Sequence, residues 1–224
     1  MDKEKIEKTR VNNCLPVARE GIPFIIISVG ITVILFCLKL TVPGIIMAVL
    51  AFFVIYFFRD PERERSAGKD EILSPADGKI INVWELAAGE SPLGESAYKI
   101  SIFMSVFNVH VNRAPLSGEV VDIAYNPGKF LSANLDKASE ENESNRITVR
   151  TDDGRKIIFT QIAGLIARRI VCWIKVGDHI ETGKRMGLIR FGSRLDVFIP
   201  AGCDVSVKAG QKVSAGITTL GCFR

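Results

Sequence analysis

The sequence predicts a mainly β protein, a barrel- or sandwich-like domain preceded by an N-terminal hydrophobic helical hairpin. Three observations carry this. From about Asp70 onward, short apolar and β-branched runs follow one another, punctuated by Ala76-Asp-Gly78, Asn126-Pro-Gly128 and Asp152-Asp-Gly154, and none has a long helical period. Near the C-terminus the chain repeats itself: Lys175-Val-Gly-Asp-His-Ile-Glu-Thr-Gly183 is echoed 33 residues later by Lys208-Ala-Gly-Gln-Lys-Val-Ser-Ala-Gly216. Ahead of all this, two apolar runs of about 15 or 16 residues, Pro23–Leu38 and Gly44–Phe58, flank Lys39-Leu-Thr-Val-Pro-Gly44.

Composition sets the bounds. A chain of 224 residues holds one β-rich domain plus an appendage. Mean hydropathy of +0.22 beside 24% charged residues implies a chain divided between water and lipid. A net charge of +4 is too small to argue for nucleic acid. Cys14, Cys37, Cys172, Cys203 and Cys222 are scattered, none as CxxC, and there are only two histidines. That excludes a zinc site and reads as reduced thiols, with no metal expected.

In chain order, residues 1–22 form a charged N-terminal segment and residues 23–58 the hairpin. Each apolar run falls slightly short of the roughly 20 residues that span a bilayer upright. The apolar stretch is too long for a signal peptide, and no small-residue cleavage site follows it. Val42-Pro-Gly44 is turn chemistry and is expected to reverse the chain. Lys3, Lys5, Lys8, Arg10 and Arg19 precede the hairpin, Arg59, Arg63, Arg65 and Lys69 follow it, and Lys39 alone lies in the connection. The positive-inside rule then places both ends, and the domain that follows, in the cytoplasm at the cell membrane. The alternative is the buried hairpin of a soluble core.

Residues 59–69 read as a linker and 70–224 as the β domain. Its strands are expected at Ile80–Val83, Tyr98–Met104, Glu119–Ile123, Ile147–Arg150, Lys156–Ile162, Arg169–Ile174, Met186–Phe191 and Leu195–Ile199. Phe130–Arg146, polar and acidic, reads as a loop, either a cover over a site or a solvated insertion. The repeat resembles the Val-x-x-Gly-Asp-x-Val-x-x-Gly pattern of biotinyl- and lipoyl-carrier β-sandwiches, modules that present a modified lysine. A non-catalytic, membrane-anchored carrier or adaptor is therefore one functional class, although no Met-Lys-Met occurs.

The other class is enzymatic and rests on Gly192-Ser193, a small pair between two strand-like runs. Glycine tolerates backbone angles that other residues do not, so the peptide there can be held distorted. The Ser193 hydroxyl can attack the Gly192 carbonyl carbon, moving the acyl group from nitrogen to oxygen. Elimination from the ester leaves dehydroalanine, which hydrolyses to ammonia and a pyruvoyl group able to form a Schiff base with a substrate amine. A tight turn is the plain alternative. His110, flanked by Asn108 and Asn112, falls on one face of a strand whose other face carries Val109 and Val111. Such a polar stripe fits a site or a wet surface. His179 sits in a repeat turn where its counterpart is Lys212, and reads as solvated. Asp77 precedes a glycine, as turn aspartates do.

Ser74-Pro-Ala-Asp-Gly78, Phe107-Asn-Val-His-Val-Asn-Arg-Ala-Pro115, Asn126-Pro-Gly-Lys-Phe130 and Arg190-Phe-Gly-Ser-Arg194 occur in this order after a hairpin ending in Phe57-Phe-Arg-Asp-Pro61. Together they closely resemble the short, membrane-bound form of the phosphatidylserine decarboxylase family, from about Pro23 to Cys222. The resemblance implies a proenzyme that cuts itself between Gly192 and Ser193 into a β chain, 1–192, and an α chain, 193–224, which stay together as a heterodimer. Ser193 becomes the covalent pyruvoyl cofactor, and phosphatidylserine becomes phosphatidylethanolamine and carbon dioxide. Asp77 and His110 match the acid and histidine that act with the serine. Longer members have Leu-Gly-Ser-Thr where this chain has Phe-Gly-Ser-Arg, and a second histidine where Arg113 stands. Arg113, Arg190 and Arg194 are the candidates for holding the lipid phosphate. Archaetidylserine, the ether-lipid equivalent, carries the same headgroup and is the alternative substrate. Higher oligomers are compatible with this arrangement.

Overall fold

A computed structural model of the chain describes residues 13, 15–128, 141–164, 169–190 and 192–224. They fall into two compact units that divide between Glu62 and Arg63, inside the stretch expected to be a linker. Cys14, the basic residues before Asn13 and most of the expected loop, 129–140, lie outside the described residues. The end of that expected loop is not loop at all, since Ser144–Arg150 is a strand.

The first unit is a helical hairpin of α1 (Ile22–Cys37) and α2 (Thr41–Phe57). The reversal lies at Leu38–Leu40, where Lys39 adopts φ 58°, and not at Val42-Pro-Gly44 as the sequence suggests. The reason is positional. Pro43 sits in the first turn of α2, where the amide hydrogen it lacks would have had no intrahelical acceptor, so it starts the helix instead of ending one. At the open end, Ala18 N–H donates to the Phe58 carbonyl at 2.7 Å and Asp60 N–H to Pro16 at 2.8 Å. Asn13 Nδ2 adds a bond to Asp60 Oδ2 at 3.1 Å. Apolar side chains line the outside of both helices: Ile26 is 65% exposed, Val42 69% and Phe52 70%. Arg19–Cys37, counting the short turn of helix before α1, is 19 residues long with mean hydropathy 2.2, enough to cross a membrane by length and composition.

The second unit is built of strands β1 (Glu71–Leu73), β2 (Gly78–Leu86), β3 (Ala97–Met104), β4 (Val111–Arg113), β5 (Gly118–Asn126), β6 (Ser144–Arg150), β7 (Lys156–Ala163), β8 (Ile170–Cys172), β9 (His179–Ile180), β10 (Arg185–Ile189), β11 (Ser193–Pro200), β12 (Asp204–Val205), β13 (Lys212–Val213) and β14 (Thr219–Cys222). A curled eight-stranded sheet runs β13-β2-β3-β11-β7-β6-β5-β9, and two small sheets run β1-β14-β12 and β4-β10-β8. The side chains between them form one core, including Ile80, Ile102, Phe159, Ile189, Leu195 and Val197, all fully buried.

These orders are palindromic. Lys79 pairs with Lys212 and Phe103 as Glu119 pairs with His179 and Arg150. The bulge at Ile80/Asn82 recurs at Val120/Asp122. Ile72↔Gly221 and Val205↔Gly221 recur as Asn112↔Gly187 and Cys172↔Gly187. A pseudo-twofold axis therefore passes between the central strands β11 and β7, and the nine-residue repeat of the sequence is one fragment of a duplication that covers the whole unit. Its turns recur too, with Gly177, Gly183, Gly210 and Gly216 all at positive φ. Among the described residues Cys37, Cys172, Cys203 and Cys222 form no disulfide, and burial pushes Cys203 up to about 11, so it stays protonated.

Candidate active site

Of the residues singled out by sequence, His110 lies beside a strand of a small sheet and Ser193 opens a strand of the large one. β10 ends at Ile189 and β11 begins at Ser193, so the runs around Gly192-Ser193 are not a hairpin but members of different sheets. Between them Gly192 takes φ 56°, in the left-handed region that a side chain disfavours. β11 is held on both sides, Ser193 opposite Met104 of β3 and Ala163 of β7.

His110 lies just ahead of β4, and the ladder continues to it: Leu188 faces Val111, and Ile189 N–H reaches the His110 carbonyl at 3.4 Å. The duplication supplies an internal comparison. Across the pseudo-twofold the equivalents of His110 and Ser193 are Asp70 and Arg155, Phe223 N–H reaches the Asp70 carbonyl at 3.0 Å, and Arg155 and Asp70 meet at 2.7 Å. Of the two readings of this polar stripe, a site or a wet surface, the second fails, since His110 and Asn112 are fully buried. His110 Nδ1 lies 2.9 Å from the Asn108 carbonyl. A carbonyl only accepts, so Nδ1 carries the hydrogen and, in the neutral ring, Nε2 is the basic nitrogen.

Ser193 is fully buried, and its hydroxyl donates to the Met104 thioether at 3.3 Å, a weak acceptor that leaves the oxygen nucleophilic. Asn112 Nδ2 approaches the same sulfur at 3.8 Å. Behind Asn112 stands a chain of amides: Gln161 Nε2 donates to Asn112 Oδ1 at 2.9 Å, and Asn145 Nδ2 to Gln161 Oε1 at 3.1 Å. In the other half the equivalent positions are Ile72, Ile199 and Tyr98, an ordinary core. Burying amides costs free energy that burying isoleucine does not. The half that carries His110 and Ser193 is the half that bears this cost. Sequence reasoning missed Gln161, Asn145 and Met104. The matching Ser74-Pro-Ala-Asp-Gly78 and Ala114-Pro-Leu-Ser-Gly118 were the available signal of two comparable halves.

The structure does not pair Asp77 with His110. The Asp77 carboxylate is held by Arg63 at 2.5 and 2.9 Å and accepts the Ala215 N–H at 2.8 Å. The second of these duties falls in the other half to Ser117, which accepts the Thr182 N–H at 2.9 Å. Extending the β2–β3 register by one step sets Gly78 beside Met104, so Asp77 lies two strands from Ser193. The three arginines also separate. Arg194 is fully buried, with Nε on Asp196 at 2.6 Å and Nη2 on Ser101 at 2.8 Å. Arg113 is 4% exposed and donates to the Gly183 carbonyl at 2.8 Å. Both are held by hydrogen bonds within the domain. Arg190, the third candidate for the lipid phosphate, is partly exposed beside Gly192.

The phosphatidylserine decarboxylase family model matches residues 50–221. The phosphatidylserine decarboxylase proenzyme of Syntrophus aciditrophicus is 53% identical over 209 residues, covering 92% of this chain and 97% of its own. Those of Geotalea uraniireducens and Desulfotalea psychrophila are each 49% identical, covering 94% and 92% of this chain and 98% and 96% of their own. With the match running from the second half of α2 through His110 and Ser193, the chain belongs to the phosphatidylserine decarboxylase family of enzymes.

Proposed function

We propose that the chain cuts its own Gly192-Ser193 bond to make a pyruvoyl group and then decarboxylates phosphatidylserine to phosphatidylethanolamine. The observation that carries this is the buried Ser193 hydroxyl beside a left-handed Gly192, with His110 held by the neighbouring ladder. Ser193 Oγ attacks the Gly192 carbonyl carbon while His110 Nε2 takes the hydroxyl proton. The Gly192–Ser193 C–N bond breaks and the acyl group rests on oxygen. Loss of the Ser193 α-proton expels Gly192 as a carboxylate, and water releases the Ser193 nitrogen as ammonia. Because β3 and β7 grip β11 from its first residue, the new α-chain terminus stays in place, so the residues present suit the group. When formed, it supplies the electron sink that decarboxylation of an amino acid needs.

The chain's own side chains do the rest. His110 Nε2 is available to return a proton after carbon dioxide leaves. Arg190 is the cation for the lipid phosphate. Asp77 stays in this reading as the acid that the family resemblance names, its carboxylate fixed by Arg63 and Ala215 N–H. The apolar hairpin supports anchoring at the cell membrane, and its basic flanks support a cytoplasmic β domain.

The test is the intact mass of the purified protein. Two pieces are expected, the smaller running from Ser193 to Arg224 with a blocked terminus. A single uncut chain with decarboxylase activity overturns the mechanism.

A second measurement addresses the amides. Copying the other half into this one, Asn112→Ile, Gln161→Ile and Asn145→Tyr together, leaves unfolding free energy within about 1–2 kcal/mol, since the bonding groups leave together. The same variant cleaves at least about tenfold more slowly, the worth of one lost orienting contact at about 1.4 kcal/mol. Unchanged cleavage would make the amides a feature of packing alone.

A further inference from the structure

The large sheet has a second face. Along β11, Leu195, Val197 and Ile199 enter the core, while Arg194, Asp196 and Phe198 point the opposite way. On that opposite face is a cavity of about 620 Å³, roofed on one side by Glu90, Ser91 and Pro92 of the β2–β3 connection. Since Ser193 Oγ contacts Met104 in the core layer, this cavity lies across the sheet from the cleavage site.

Its walls are mixed. Trp84, Leu86, Ile162 and Phe198 are apolar, and Lys99, Arg146 and Thr160 are donors. Lys99 and Arg146 are pseudo-twofold equivalents, Lys99 paired in register with Phe198 and Arg146 with Thr160. Their surroundings differ. Lys99 has Asp196 at 3.3 Å and lies 5.6 and 5.7 Å from the Trp84 and Phe198 ring centroids. The counterpart of Asp196 across the axis is Ile158, and Arg146 has no carboxylate partner among the described residues. Beside Arg146, Thr160 is 6% exposed and its Oγ1 has no hydrogen-bond partner. A buried hydroxyl without a bond costs free energy that a ligand oxygen would recover. Among the described residues lining the cavity, Asp196 is already held by buried Arg194 at 2.6 Å, which leaves Lys99 and Arg146 against rim Glu90 and favours an anion.

We propose that this cavity is a binding site for a phosphate-bearing ligand. The Arg146 fork, the Lys99 ammonium and the Thr160 hydroxyl are three separate donors, matching the several oxygens of a phosphate better than the two of a carboxylate. The apolar walls take whatever carries the phosphate. The site is independent of the chemistry at Ser193.

The experiment uses the full chain in nanodiscs of uncharged lipid. Trp84, 39% exposed in the cavity wall, is a reporter separable from buried Trp173. Its emission is followed against inorganic phosphate, glycerol 3-phosphate, dihexanoyl phosphatidic acid and hexanoate, with Trp84→Phe as the blank. A saturable change with the phosphate probes is expected, and hexanoate should bind at least about tenfold more weakly. Tighter binding of dihexanoyl phosphatidic acid identifies a lipid headgroup as the source; equal binding identifies a free phosphate ester, and either supports the site. Arg146→Ala weakens binding about tenfold. Thr160→Val weakens it as well without lowering Tm, an outcome that a merely structural hydroxyl would not give. No saturation with any phosphate probe overturns the proposal, as do unchanged affinity in both variants and hexanoate binding equal to phosphate. A dimer by sedimentation that Arg146→Ala dissociates, with no phosphate binding, would assign the face to a second copy of the chain and overturn it too.

Discussion

Ser193→Ala yields one uncut chain and no detectable release of carbon dioxide from carboxyl-labelled phosphatidylserine. The expectation follows from what the side chain does and does not hold up. Its hydroxyl donates only to the Met104 sulfur, a weak bond whose loss costs about 1 kcal/mol or less, so the variant folds and melts close to the parent. Chemically the change is total. The proposed nucleophile is gone, and a chain that is not cut makes no ketone. Ser193→Cys provides the internal control, because a thiol can attack the same carbonyl and should restore some cutting. A Ser193→Ala chain that is nonetheless cut would move the nucleophile elsewhere, and an active uncut one would remove the pyruvoyl group from the reaction.

His110→Ala has the next largest effect, slowing self-cleavage by about 10² to 10⁴, the usual contribution of a positioned general base. The ring is buried and its Nδ1 is committed to the Asn108 carbonyl, so Nε2 is the nitrogen that the proposed mechanism uses. That is the division of labour seen where a carboxylate orients a catalytic imidazole, with a peptide carbonyl in its place. Pyruvoyl content, measured by reductive amination, and labelled carbon dioxide per pyruvoyl separate the two uses of the ring. Both should fall. Normal cutting with normal turnover would leave His110 as a core residue, and Arg190 would become the nearest candidate.

How far the sequence discloses this depends on whether the deciding interaction is local. The strands at Tyr98–Met104 and Lys156–Ile162 are written in β-branched periodicity and appear as β3 and β7. The apolar helices are written in composition, although Pro43 misleads about the turn because proline ends one helix and begins another by the same chemistry. Burial of charge is another matter. Arg194 and Asp196 alternate correctly on one strand face, yet nothing local says that Ser101 waits on the neighbouring strand to bury them. The amides are harder still. Asn112, Gln161 and Asn145 are far apart in sequence, on three strands, and each alone reads as a wet position. Asp77 carries the same lesson, since its partner Arg63 falls in a stretch that reads as linker.

The central position of β11 has a consequence for the order of events in the life of the molecule. Before any cut, the strand finds its slot between β3 and β7 as part of one tethered chain, at the high effective concentration that a covalent link confers. The cleavage proposed above would leave the same strand, with β12 to β14 behind it, a separate peptide stitched into the middle of its partner. Heating or denaturant would then erase information that neither piece alone contains. Such a maturation would be a ratchet: the uncut chain can fold again, whereas the two pieces would have to meet by collision.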